Sequence, residues 1–139
     1  GLDGRKMSKS YGNTIPLFLT EKQLKKHINK INTNLLEPGE AKDPGSSAVF
    51  QIWKAFATPE QTVAMRIEFE RGIGWGDAKK QLFELVNDQI KEPREKYFEL
   101  LKYPAKIESV LQGGAMRARK QSIDLIEKVR SAVGIRSLI

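Results

Sequence analysis

The sequence predicts an all-α fold, a helical bundle preceded by an extended loop at residues 1–19. No segment of useful length alternates apolar and polar residues as a half-buried strand would. Apolar residues instead recur at the 3.6-residue period, and cap residues and glycines mark the ends of the periodic segments. Residues 15–19 are apolar but not helical, because Pro16 disfavours a helical conformation at Ile15. We expect their side chains to cover the helices that follow.

Two helix starts carry a complete capping signal. Thr20 and Thr58 are each followed three residues later by a glutamine, which is the spacing of a capping box. Ser46 or Ser47 is a candidate cap for the helix between them. The helices are predicted at about residues 21–31, 48–57, 59–71, 77–102, 104–112 and 115–133.

Proline and glycine divide the second half of the chain. Pro93 lies inside a long periodic segment, so a kink or a break is expected there. Gly113 and Gly114 are predicted to end a short helix, and Gly134 to end the last one. That last helix is amphipathic, with an apolar arc and a largely basic outer face.

The composition limits the possible functions. Lysine and arginine number 24 against 17 aspartate and glutamate, a net charge of +7, which suits a polyanionic partner or serves solubility alone. The absence of cysteine excludes disulfides and thiolate metal sites, and a single histidine argues against a histidine-rich metal centre. The absence of cysteine fits a reducing compartment, and we expect a cytoplasmic location. We also expect no association with a membrane, since no apolar run reaches the roughly 20 residues of a membrane span.

The stretch at residues 3–13 carries the most chemistry. It reads Asp-Gly-Arg-Lys-Met-Ser-Lys-Ser-Tyr-Gly-Asn, with three cations, two serine hydroxyls and a glycine on either side. Cations, hydroxyls and backbone N–H groups on a bent loop suit a polyphosphate. From residues 6–10 alone, a solvated surface linker is an equally good interpretation.

The longer stretch resembles the second signature motif of class I aminoacyl-tRNA synthetases, Lys-Met-Ser-Lys-Ser. Five further segments are similar, in the same order, to segments of bacterial tryptophanyl-tRNA synthetases. They are residues 46–56, 74–80, 93–97, 114–119 and 129–134. Since the chain begins at Gly1, inside the signature, we interpret it as the C-terminal fragment of a longer protein.

The resemblance implies a tryptophan–tRNA ligase, which activates tryptophan with ATP and transfers it to tRNA(Trp). Residues 1–19 would be the loop and connector of a Rossmann-type catalytic domain that lies upstream, and residues 20–139 an α-helical anticodon-binding domain. We expect the fragment to be inactive alone, because L-tryptophan would bind to the upstream part. The parent protein is expected to be a homodimer.

The resemblance also implies the site residues. Lys6 and Lys9 would be catalytic, and Lys6, Met7, Ser8, Lys9 and Ser10 would bind ATP. Mg²⁺ is expected to accompany ATP as part of the substrate, with no protein metal site and no permanently bound cofactor. Candidates for tRNA binding are Arg117, Arg119 and Lys120, at the start of the last helix.

Three alternatives remain open from the sequence. The chain could belong to a tyrosyl-type class I synthetase, which shares the loop and the general architecture. It could also be a basic helical module that binds nucleic acid without chemistry, or a helical assembly domain whose charge only maintains solubility.

Overall fold

A computed structural model describes residues 1–135 and confirms the all-α prediction: within that range there are five α-helices and no strand. The helices are α1 (Glu21–Asn29), α2 (Ala48–Phe56), α3 (Pro59–Glu70), α4 (Trp75–Leu101) and α5 (Pro104–Ala132). A 3₁₀ turn, Lys9–Tyr11, precedes them. None of the helices in the described range combines the length and the apolar character that a membrane-spanning helix requires.

The predicted caps are present. Thr20 and Thr58 form capping boxes with Gln23 and Gln61, so two exposed backbone donors are satisfied at the start of α1 and at the start of α3. Of the two candidate serines, Ser47 caps α2 and accepts a hydrogen bond from the Phe50 N–H at 3.2 Å.

One prediction for the second half needs correction. The helix predicted to end at Gly113–Gly114 continues, so residues 104–112 and 115–133 form one helix, α5. Neither glycine adopts a positive φ, and about 1 kcal/mol per glycine is a small cost within a helix of this length. Pro93 lies inside α4, which is continuous from Trp75 to Leu101, so of the kink or break expected there the break does not occur.

The chain divides into two compact units, residues 1–96 and residues 97–139. The hydrophobic core belongs to the first unit, where Phe69 is fully buried between the rings of Phe50 and Trp75, with ring centroids 5.3 and 5.7 Å away. Leu2, Ile15 and Leu19 pack against this core, so the N-terminal segment covers the helices as expected. The described part of the second unit contains the end of α4 and the whole of α5, which has no buried residue.

The long connection between α1 and α2 is held in place from inside the first unit. Lys42 is 2% exposed, and its ammonium donates to the carbonyl oxygens of Glu37 at 2.8 Å and Glu40 at 2.9 Å. Gly39 and Gly72 meet backbone to backbone, through a hydrogen bond of 2.8 Å. Residues 32–47 therefore have a defined path although they contain no helix or strand.

Candidate functional site

The loop at residues 3–13 is closed at its base by backbone hydrogen bonds. The Leu2 N–H donates to the Asn13 carbonyl at 2.9 Å, and the Asn32 N–H donates to the Leu2 carbonyl at 2.7 Å. The first bond joins the two ends of the loop, and the second fixes that base to the residues that follow α1. The loop is therefore anchored to the first unit.

The Asn13 side chain occupies the centre of the loop and is 3% exposed. Its Oδ1 accepts a hydrogen bond from the Ser8 N–H at 2.8 Å. Its Nδ2 donates to Asp3 Oδ1 at 2.7 Å and to the Lys6 carbonyl at 3.2 Å. One amide thus connects three other residues of the loop.

Asp3 accepts hydrogen bonds from both sides of the loop. Besides Asn13, its carboxylate accepts from the Arg5 N–H at 3.1 Å and from Arg5 Nε at 2.8 Å. The hydrogen bond from Asn13, followed by those from Arg5, holds the pKa of Asp3 well below its usual range. Asp3 is therefore an anion whenever the loop is folded at neutral pH.

Ser8 begins the 3₁₀ turn that carries Lys9. Its hydroxyl oxygen accepts from the Ser10 N–H at 3.3 Å, and its carbonyl accepts from the Tyr11 N–H at 3.1 Å. Gly12 ends the turn with φ at 62°, a left-handed conformation that glycine adopts readily. The Ser8 hydroxyl hydrogen is not used in these contacts and can be donated.

Lys6 and Lys9 contrast with the rest of the loop. Both side chains are exposed, and neither ammonium makes a hydrogen bond or an ion pair within the part of the chain that the structure describes. Ser10 is also exposed, and Met7 is 43% exposed at the edge of an apolar cavity of about 70 Å³. The loop therefore presents two unneutralised cations and two hydroxyls on a scaffold whose own polar groups are paired.

The candidate tRNA-binding residues lie elsewhere in the chain. Arg117, Arg119 and Lys120 are exposed on α5, in the second unit. The guanidinium of Arg117 extends back over the two glycines, within 3.9 Å of where their Cβ atoms would be. The structure thus groups residues 6–10 on one loop and places the other three cations on a helix.

No family model matches the chain. It is 54% identical over 138 residues to the tryptophan–tRNA ligase of Neisseria meningitidis, covering 99% of this chain and 41% of that protein. It is 51% identical over 137 residues to the tryptophan–tRNA ligase of Pseudomonas putida, of which it covers 30%. A tryptophanyl-tRNA synthetase from Campylobacter jejuni, solved in complex with ADP and tryptophan, superposes with a TM-score of 0.88 and 42% identity over 96% of this chain and 42% of its own.

The chain is homologous to the C-terminal part of tryptophan–tRNA ligases. It spans about two fifths of the Neisseria relative and less of the Pseudomonas one. These relatives are all tryptophanyl enzymes, so they favour the tryptophanyl interpretation over the tyrosyl one and over a non-catalytic module. The assignment of site residues within the chain stays a prediction.

Sequence reasoning did not assign roles to Asp3 and Asn13. Both belong to the signature stretch, but neither carries a positive charge or a hydroxyl group. Asp3 is not part of a metal-ligand cluster either, because no group of three or more histidine, cysteine, aspartate or glutamate side chains that could hold a metal ion exists among residues 1–135. Asparagine directly after glycine is typical of turns, because its amide can bond to nearby backbone. That signal predicts a local turn and not the three-way contact that the structure shows.

Proposed function

We propose that this chain is the C-terminal part of an enzyme that activates tryptophan with ATP and esterifies the product to tRNA(Trp). Residues 3–13 contact the phosphates of ATP, and the helical part binds the tRNA through cations of α5. Similarity to tryptophan–tRNA ligases over 99% of the chain supports the assignment. The bound ADP and tryptophan in the Campylobacter structure are consistent with a nucleotide and an amino acid as substrates.

The observation that carries the proposal is the contrast inside the loop. The side chains of Asp3, Arg5 and Asn13 are hydrogen-bonded within the loop. The ammonium groups of Lys6 and Lys9, in contrast, have no hydrogen-bond or ion-pair partner among the described residues. A surface linker would not need a buried amide to fix its backbone. A loop that must hold cations at defined positions does, because cations stabilise developing charge only when they are placed in advance.

The chemistry assigns a role to each exposed group. In the first step the tryptophan carboxylate attacks the α-phosphorus, the bond to the bridging oxygen breaks, and pyrophosphate leaves with the electron pair. Lys9, and next to it Lys6, neutralise the charge that builds on the leaving oxygens. Ser8 and Ser10 donate hydroxyl hydrogen bonds to phosphate oxygens, and the Met7 backbone lies against the adenine. Mg²⁺ arrives with ATP and shares the phosphate charge.

The remaining assignments concern the rest of the enzyme. Residues 1–19 form the loop and connector of the catalytic domain, and residues 20–139 the tRNA-binding domain. The tryptophan pocket and the sheet that orients ATP belong to the upstream part of a homodimeric, cytoplasmic enzyme with no permanently bound cofactor. On α5, Arg117, Arg119 and Lys120 contact the tRNA, whose unpaired loop bases are the usual targets of specific recognition.

The test is amino-acid-dependent ATP–pyrophosphate exchange by the full-length protein. We expect exchange with tryptophan and none above background with tyrosine. The isolated 139-residue chain should give none with either amino acid. Exchange that depends on tyrosine, or no exchange with any amino acid by correctly folded full-length protein, would refute the proposed function.

A further inference from the structure

Asn13 lies four residues after Lys9, outside the lysine–serine motif, yet its amide fixes the backbone on both sides of Met7. Nδ2 holds the carbonyl of Lys6 at 3.2 Å, and Oδ1 holds the N–H of Ser8 at 2.8 Å. Lys6 is one of the two exposed cations, and Ser8 begins the turn that carries the other. The position of both lysines therefore depends on one side chain.

The Asn13 contacts are shielded from water. The side chain is 3% exposed, while Lys6 and Lys9 around it are exposed. A buried amide whose donors and acceptor are all bonded does not exchange them readily for solvent. Because Asp3 Oδ1 accepts from Asn13 at 2.7 Å and from the Arg5 N–H at 3.1 Å, the first residues of the loop join the same network.

We propose that Asn13 is a positioning residue, which holds the loop so that Lys6 and Lys9 meet the phosphates in the transition state. It touches neither ATP nor tryptophan. The inference rests on the proposed function and extends it to a residue for which the motif implies no role. Because Asn13 acts on placement, its loss lowers kcat while leaving the KM for ATP nearly unchanged.

The test uses the full-length protein in tryptophan-dependent pyrophosphate exchange. Asn13→Ala removes all three side-chain bonds without adding charge. Asn13→Asp keeps an acceptor for the Ser8 N–H but loses both donors and sets a second carboxylate against Asp3. We expect either variant to lower kcat by about 10- to 100-fold, the size of effect that a small misplacement of catalytic groups produces, with the KM for ATP within about twofold of wild type.

Two controls separate positioning from simple stability. Asn29→Ala alters an exposed asparagine of α1 and should leave kcat unchanged. Combining Asp3→Asn with Asn13→Asp restores a donor–acceptor pair between the two positions and should recover part of the lost kcat. Should neither Asn13 variant fold, Asn13→Ser replaces them in the same assay with the same expectation.

The outcomes are distinct from those for the proposed function. If wild type exchanges with tryptophan and Lys9→Ala does not, but the Asn13 variants keep wild-type kcat, the positioning role is wrong and the function stands. A loss confined to melting temperature, with kcat per folded molecule unchanged, overturns it equally. Absence of exchange by wild type refutes the function itself.

Discussion

The first compact unit contains a buried apolar core, whereas α5, in the second, has no buried residue. Phe69 is fully buried and belongs to a core of twelve hydrophobic residues, but Leu125 and Val129 of α5 are 63% and 50% exposed. Both regions show the same 3.6-residue pattern in the sequence. The difference shows that periodicity identifies the apolar face of a helix without showing what covers it.

The proposed functional cations of the two units also differ in how they are held in position. Lys6 and Lys9, in the first unit, stand on a loop whose backbone is held by the buried Asn13 amide. Those of α5 stand on the surface of a helix, where the backbone hydrogen bonds alone fix their spacing. Precise support suits groups that act in a chemical step, and a spaced row of helix cations suits phosphate binding.

The largest difference between the two units is expected in stability. Phe69→Ala removes a ring that contacts Phe50 and Trp75, so it should lower the free energy of unfolding by about 3–5 kcal/mol. Leu125→Ala, on exposed α5, should change it by no more than about 0.5 kcal/mol. Urea unfolding of both variants measures the contrast, and equal losses would show that α5 is packed in solution.

Glycines should respond with opposite sign in the two units. A Cβ on Gly72 would lie 2.7 Å from the Gly39 carbonyl oxygen, at a φ of 89°, so Gly72→Ala should cost about 1–3 kcal/mol. Gly113→Ala meets only the far end of the Arg117 side chain, at 3.7 Å, and should stabilise α5 by up to about 1 kcal/mol. Thermal unfolding of each variant checks the sign; a stabilising Gly72→Ala would contradict the close backbone approach.

Replacing the α5 cations should weaken tRNA binding without slowing tryptophan activation. Alanine at Arg117, Arg119 and Lys120 together should raise the Kd for tRNA(Trp) about tenfold, a loss of about 1.4 kcal/mol. The salt dependence of log Kd should become shallower by about 0.7 for each phosphate that the variant no longer neutralises. Filter binding across a salt series measures both quantities.

The control for that experiment is a triple alanine variant at exposed lysines of the first unit. These lysines are Lys22, Lys26 and Lys30. A salt slope that the α5 variant leaves unchanged would remove its three cations from the tRNA interface.

The smallest expected effect is a change in the pKa of Asp3. The folded loop lowers the pKa of Asp3, so its contribution to stability is complete above the unfolded value of about 3.9 and is lost as the pH falls below it. Asn13→Ala removes the main hydrogen bond and should shift that pKa upward. An NMR titration of the Asp3 carboxyl carbon follows the change, and an unaltered midpoint would contradict the Asn13 contact.

Local signals in the sequence predicted much of the fold. Capping at Thr20, Ser47 and Thr58 depends on neighbouring residues only, so it could be recognised without the tertiary structure. The continuity of α5 through Gly113 could not, because a glycine pair is compatible with both a helix end and a helix interior. No local signal predicts that Lys42 is buried, since its burial depends on backbone carbonyls and on the Trp75 indole ring, which only the fold brings together.

The candidate site divides along the same line. The roles proposed for Lys6 and Lys9 could be predicted from the motif, because the charge and the spacing of its residues can be read directly from the sequence. Asn13 bonds to residues five, seven and ten positions away, and no periodic pattern encodes those contacts. Side chains that act on the substrate are thus easier to predict from sequence than side chains that hold them in position.

The most direct test of the loop's role at the phosphates of ATP uses the full-length protein with Lys9→Ala. The rate of adenylate formation by this variant is measured before the steady state. We expect the rate to fall by about two orders of magnitude, equivalent to about 3 kcal/mol of barrier, with ATP affinity little changed. Lys22→Ala, which removes an exposed lysine of α1, should keep the wild-type rate. A wild-type rate in Lys9→Ala would contradict the assignment of this loop to the phosphates of ATP.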